Sequence, residues 1–223
     1  MRTSPLPRFQ DRSEAARRMA LALTAYRDRR PLVLGIPPGG AVIAEVVARE
    51  LGGDLDVTLV RMLAAPGGSF PSIGVIAESG GTILEPGWDR LATPSTLQAE
   101  REEALAQLRR LREGYTPQSG PIDPKGRLTL LVDDGASSAA YLTAVLLSLR
   151  ASGAEMLVAA SAVASIEAME QLRREADVVI CLRTLEPFGS ASAYYDHFEE
   201  PSERQIQDFL RRASRKPLHR GIA

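Results

Sequence analysis

The chain has 223 residues, 44% apolar and 25% charged, with a formal net charge of −1 and one cysteine. That length suits one domain with a sizeable core, and the composition is ordinary for a soluble globular protein. The charge balance gives no global attraction to nucleic acid or to an anionic membrane.

No apolar stretch is long enough to span a bilayer and the polar N-terminus is not a signal peptide, so a cytoplasmic location is expected. Cys181 lies in the apolar run Asp177–Leu182 and is expected to be a buried structural thiol. A single cysteine excludes an internal disulfide and a cysteine-rich zinc site. Charge is uneven: the first thirty residues hold eight Arg against Asp11, Glu14 and Asp28, and the tail after Leu210 carries Arg211, Arg212, Arg215, Lys216 and Arg220. Such blocks read as solvated ends, with weak nucleic-acid contact the lesser reading.

In chain order, residues 1–8 read as a loose arm. A helix follows with Ala16, Met19, Ala20 and Leu23 on one face, capped by Asp11 or Ser13. Leu32–Ile36 is a short buried strand, broken at Pro37-Pro38-Gly39-Gly40, after which an apolar helix runs through Val42, Ile43, Val46, Val47 and Leu51. Glycines at a helix entry let a backbone approach a ligand closely. Asp56–Leu63 reads as the next strand, and Ala64–Ser72 as a flexible segment. Residues 73–78 and 82–84 flank Ser79-Gly80-Gly81 as a hairpin. Pro94–Glu113 is a charged helix with a solvated face, and Thr116–Lys125 a Pro-rich linker.

Leu128–Asp133 is the strand around which the rest is arranged. It ends in Asp133 and Asp134, followed by Gly135, small residues and a helix through Leu142, Val145, Leu146 and Leu149. The start of that helix offers unpaired backbone N–H groups suited to a phosphate. Two acids beside it suit a ligand bearing hydroxyls or a divalent cation next to its phosphate, as a sugar phosphate does. An ordinary strand–turn–helix with capping acids is the competing reading. Glu155–Ala164 is another strand, Ser165 caps a helix ending near Glu175, and Asp177–Leu182 is the last core strand. Residues 188–198, with Tyr194 and Tyr195, are placed to fold over the site before a closing helix from Ser202 to Arg212. Strand–helix alternation implies an α/β fold: a parallel sheet flanked by helices on both faces, with binding at the C-terminal strand ends.

From Phe9 to about Leu210 these features resemble a bacterial group of predicted type I phosphoribosyltransferases, from the opening Phe9-x-Asp11-Arg12 to the strand ending in two acids before a phosphate loop. The resemblance implies one domain over residues 9–213 with a small C-terminal hood at about 184–200. It implies that Asp133 and Asp134 contact ribose hydroxyls, and that Gly135, Ala136, Ser137, Ser138, Ala139 and Ala140 wrap the ribose phosphate. Gly39, Gly40 and Arg61 then face the pyrophosphate, with Mg²⁺ bridging it, and Phe188 and Tyr194 cover the acceptor. Ala65-Pro66-Gly67 and Ile73-Gly74 match the lead into a mobile catalytic loop. The implied partner is phosphoribosyl pyrophosphate or a nucleotide, and a homodimer is left open. Pro38, Met62, Ala139 and Tyr141 depart from the group's Arg, Lys, Gly and small hydroxyl residue, so weakened turnover is expected. A non-catalytic binder of a nucleotide or ribose phosphate is the alternative.

Overall fold

A computed structural model describes residues 8–66, 72–116, 120–136 and 138–214. The first helix, α1 (Arg12–Ala22), starts at Asp11, whose carboxylate accepts the Glu14 N–H at 2.7 Å. Strand β1 (Leu32–Gly35) is buried throughout, and α2 (Gly39–Leu51) returns the chain to β2 (Asp54–Val57), parallel to β1. A three-stranded antiparallel sheet follows, β3 (Val60–Ala64), β4 (Ser72–Ala77) and β5 (Thr82–Leu84), then the long α3 (Pro94–Tyr115).

The main sheet resumes with β6 (Leu128–Asp133), α4 (Ala140–Ala151), β7 (Met156–Ser165), α5 (Ile166–Leu172) and β8 (Val178–Leu185). Its order is β2-β1-β6-β7-β8, all parallel, and α6 (Glu203–Ser214) closes the chain. Side-chain alternation divides the core in two. Val33, Leu130, Val132 and Val158 pack with α1 and α2, whereas Leu32, Leu34, Leu131 and Leu157 pack with α4 and α5. Strand order reverses between β1 and β6. There the crossovers α2 and α4 leave on opposite faces and open a crevice at the strand ends.

The single strand expected over Asp56–Leu63 is two strands in two sheets. At the junction the Leu59 N–H donates to Glu78 Oε1 at 3.0 Å and the Leu59 carbonyl accepts the Glu78 N–H at 2.8 Å. Arg112 holds this junction from α3, donating to Asp56 Oδ1 at 2.9 Å, to the Val57 carbonyl at 2.6 Å and to both Glu78 oxygens. Arg112 is thus buried within a helix whose charged residues were expected to be solvated. Cys181 is half-buried on the edge strand β8 rather than in the core, its thiol donating to the Arg183 carbonyl at 3.1 Å. Ser165 caps α5 through the Ala168 N–H at 3.0 Å, and the Ser79–Gly81 hairpin joins β4 to β5. No helix among the described residues is long and apolar enough to cross a membrane.

Candidate functional site

The C-terminal ends of β1 and β6 are adjacent in register, Gly35 pairing with Val132. Beyond them the acid pair lies against the start of α2. A Cβ added to Gly39 would stand 2.0 Å from Asp134 Oδ2, and one added to Gly40 would stand 3.3 Å from Asp133 Oδ1 and 2.9 Å from the Val132 carbonyl. The two glycines therefore leave room for the acids' own carboxylates. The location also suits the charges, because a helix N-terminus favours anions. Gly35 contributes to the same fit: a Cβ there would meet the Gly40 carbonyl at 2.4 Å.

The two acids sit in unlike surroundings. Asp134 Oδ2 receives the Arg12 Nε at 2.7 Å in a pair whose side chains are 7% and 14% exposed. The Asp134 backbone carbonyl accepts the Tyr195 hydroxyl at 2.6 Å. Among the described residues Asp133 has no cation in direct contact; the Gly135 N–H reaches its Oδ2 at 3.4 Å. Burial pushes the Asp133 carboxyl up to about 7, with the Asp134 charge adding to the effect. Backbone N–H donors and the Arg12 charge act in the other direction. Asp133 and Asp134 are alike in being partly buried residues at the crevice.

After Gly135 the loop is drawn into the fold. The Ala136 N–H donates to the Val163 carbonyl at 2.9 Å, the Ser165 N–H donates back to Ala136 at 3.1 Å, and the Ala136 side chain is buried. That amide is engaged within the chain. Ser137 lies outside the described residues. Ser138 Oγ accepts the Ala140 N–H at 3.2 Å and fixes the entry to α4. The methyl of Ala139, which stands in place of the group's Gly, is fully buried in the core cluster formed with α4 and α5. Tyr141 is 37% exposed in the first turn of α4.

The expected hood packs onto this loop. A Cβ added to Gly135 would stand 2.4 Å from that of Ala191, in the 3-10 turn Ala191–Tyr194. Phe188 and Tyr194 pair at 5.5 Å between ring centroids. Tyr195 is buried between Phe9 at 5.5 Å and Phe198 at 5.0 Å, and burial raises its hydroxyl far above its ordinary pKa. Arg61 is exposed on β3, and its guanidinium makes no hydrogen bond or ion pair among the described residues. Gly67, in the segment expected to lead into a mobile loop, lies outside the described residues. Arg12 was not expected at the site. Its signal was the Phe9-x-Asp11-Arg12 opening, in which Asp11 caps the helix that Arg12 begins.

No group of three or more His, Cys, Asp or Glu among the described residues could hold a metal. The acid pair, one member neutralised by a guanidinium and the other titrating near neutrality, does not suit a resident Mg²⁺, which prefers several ionised oxygen ligands.

Residues 9–194 match the family model of the phosphoribosyl transferase domain. Two curated relatives from Mycobacterium tuberculosis, "Putative phosphoribosyl transferase MT0597" of strain CDC 1551 and "Putative phosphoribosyl transferase Rv0571c" of strain H37Rv, are each 31% identical over 209 residues. These alignments cover 93% of this chain and 47% of theirs, so the chain spans about half the length of the curated relatives it matches. The crystal structure of TT1426 from Thermus thermophilus is similar with a TM-score of 0.78 and 38% identity, over 91% of this chain and 97% of that one. An acid pair at the strand-order reversal, the loop and helix that follow it, and the match over residues 9–194 together make this chain a member of the phosphoribosyl transferase domain family.

Proposed function

We propose that the chain binds phosphoribosyl pyrophosphate or a nucleotide in the β1–β6 crevice and transfers ribose phosphate to or from a nitrogen acceptor. The observation that carries this reading is the acid pair set between the N-termini of α2 and α4 at the reversal of strand order. Asp133, titrating near neutrality, can both accept and donate a hydrogen bond to ribose hydroxyls. The loop from Gly135 to Ala140 takes the 5-phosphate at the start of α4. Phe188 and Tyr194 cover the acceptor. Mg²⁺ belongs to the substrate here, arriving with the pyrophosphate whose charge it offsets. The reaction passes through a cationic sugar, so the protein acts mainly by positioning the groups and by stabilising the leaving pyrophosphate.

Turnover is slow in this reading, because Pro38 and Met62 supply no cation to the pyrophosphate. A second reading, a non-catalytic binder of a nucleoside monophosphate or ribose phosphate, is favoured by one observation: the entry to α2, Pro37-Pro38-Gly39-Gly40-Ala41-Val42, carries no donor side chain of its own. Calorimetry with phosphoribosyl pyrophosphate and Mg²⁺, alongside an assay for pyrophosphate formation, separates the two. Magnesium-dependent binding with slow pyrophosphate release supports the transferase. Tight, magnesium-independent binding of a nucleoside monophosphate with no turnover supports the binder.

A further inference from the structure

Asp134 is joined to the start and the end of the chain through both its side chain and its backbone. Its carboxylate holds the Arg12 Nε at 2.7 Å, and the Arg12 Nη1 donates to the Glu199 carbonyl at 2.7 Å. The same guanidinium lies 3.6 Å from the ring centroid of Phe198, a cation–π contact that keeps its plane fixed. The Asp134 carbonyl holds the Tyr195 hydroxyl. Next to this, the N-terminal segment runs along the hood: the Phe9 N–H donates to Tyr194, the Asp196 N–H to Phe9 and the His197 N–H to Gln10, each at 2.9 Å. Gly39 lies against the Asp134 carboxylate, where an added Cβ would stand 2.0 Å from Oδ2. Asp133 has none of these attachments.

We propose that Arg12 is a positioning residue that divides the work of the acid pair. It fastens Asp134 to the N-terminal segment and the hood, and it leaves Asp133 as the acid that meets the ligand. Two adjacent carboxylates do not in general share a ligand equally when one already has a buried guanidinium. The paired acid, Asp134, loses little by staying where it is and would leave an unpaired buried cation by moving. Arg12 in this role sets the height of the hood over the crevice, because the same side chain bridges from Asp134 to Glu199. The proposal rests on the ribose-phosphate reading only for the identity of the ligand; the division between the acids can be tested without one.

Three measurements on the whole chain decide it. In the ligand-free protein, the Asp133 carboxyl carbon is titrated by ¹³C NMR. The groups facing it are Asp134, Arg12, the N–H groups of Asp134 and Gly135, and the start of α2 at Gly40. Arg12→Gln is expected to raise the midpoint, because Asp134 then lacks its cation. Arg12→Lys is expected to restore it, returning the charge but not the fork that reaches Glu199. Hydrogen exchange at the Phe9, Asp196 and His197 amides should accelerate in Arg12→Gln, Arg12→Lys and Asp134→Asn, and remain unchanged in Asp133→Asn.

The third measurement is a double-mutant cycle with ribose 5-phosphate as the probe. Arg12→Gln and Asp134→Asn should each weaken binding about tenfold, and the double variant no more than about threefold further, as expected for residues that act as one unit. Should Arg12→Gln fail to fold, Arg12→Lys takes its place: faster amide exchange with an unmoved titration midpoint supports the proposal. Single effects that multiply in the double variant, or an Asp133 midpoint indifferent to Arg12→Gln, overturn it. If ribose 5-phosphate does not bind the wild type, the ribose-phosphate reading fails, and titration and exchange still decide the role of Arg12.

Discussion

Gly39→Ala tests the packing on which the site depends. The added Cβ would stand 2.0 Å from Asp134 Oδ2, 2.3 Å from Cγ and 2.7 Å from Oδ1, so the carboxylate must rotate away. Rotation itself costs little. What it breaks is the 2.7 Å ion pair with Arg12, whose side chain is only 7% exposed. A charge-assisted hydrogen bond contributes about 1.5–3 kcal/mol, and stranding a buried partner adds to the loss. Alanine at a helix start returns at most about 1 kcal/mol of propensity. The net expectation is a loss of about 2–3 kcal/mol, or roughly 5–10 °C in melting temperature for a chain of this size.

Gly114→Ala is the control, since a Cβ there meets nothing within 4 Å in α3 and should be neutral or stabilising. Urea unfolding of both variants gives the comparison directly. If Gly39→Ala unfolds within about 0.5 kcal/mol of Gly114→Ala, a scatter typical of surface changes, then the Arg12–Asp134 pair does not stabilise the fold as argued.

Asp133→Asn changes the pH dependence of stability. The folded-state pKa is raised from 3.8 to about 7, so the native state binds the extra proton in that window and wild-type stability falls as pH rises from about 4 to about 7. The variant lacks this fall, and its advantage over wild type, growing across the window to on the order of a few kcal/mol, is read by urea unfolding at pH 5 and pH 8. Arg112→Met strands Asp56 and Glu78 at the strand junction and should destabilise by about 3–5 kcal/mol in the same assay. Pro38→Arg with Met62→Lys should tighten phosphoribosyl pyrophosphate about tenfold or more at low salt, measured by calorimetry. Adding Ala139→Gly should not improve this further, because it removes a buried methyl and costs about 1 kcal/mol of stability.

The parallel sheet and its loops were legible because period and punctuation agree: branched apolar runs such as Leu128–Val132, a glycine-bearing break, then a helical stripe. Where the structure differs, two elements share one side chain that sequence spacing cannot show. Asp56–Leu63 is a continuous run of strand formers, and only the burial of Arg112 against Asp56 and Glu78 reveals that it crosses between sheets. The acid pair was visible as a pair, but its asymmetry depends on Arg12, 122 positions away in the chain. The glycines before α2 were legible as a close approach, though the approaching group is Asp134. Ala139 was read from its place in a motif, and local helix geometry turns it inward.

The central claim, that Asp133 and the loop after it hold a ribose phosphate, is tested most directly by a crystal structure with phosphoribosyl pyrophosphate and Mg²⁺. The predicted result is the 5-phosphate at the loop from Gly135 to Ala140, with ribose hydroxyls within hydrogen-bonding distance of Asp133 and the Arg12–Asp134 pair intact. A ligand with no ribose hydroxyl near Asp133, for example one seated in the cleft of about 410 Å³ that Ser138 and Ala140 share with Glu85, Glu167 and Arg174, would contradict it.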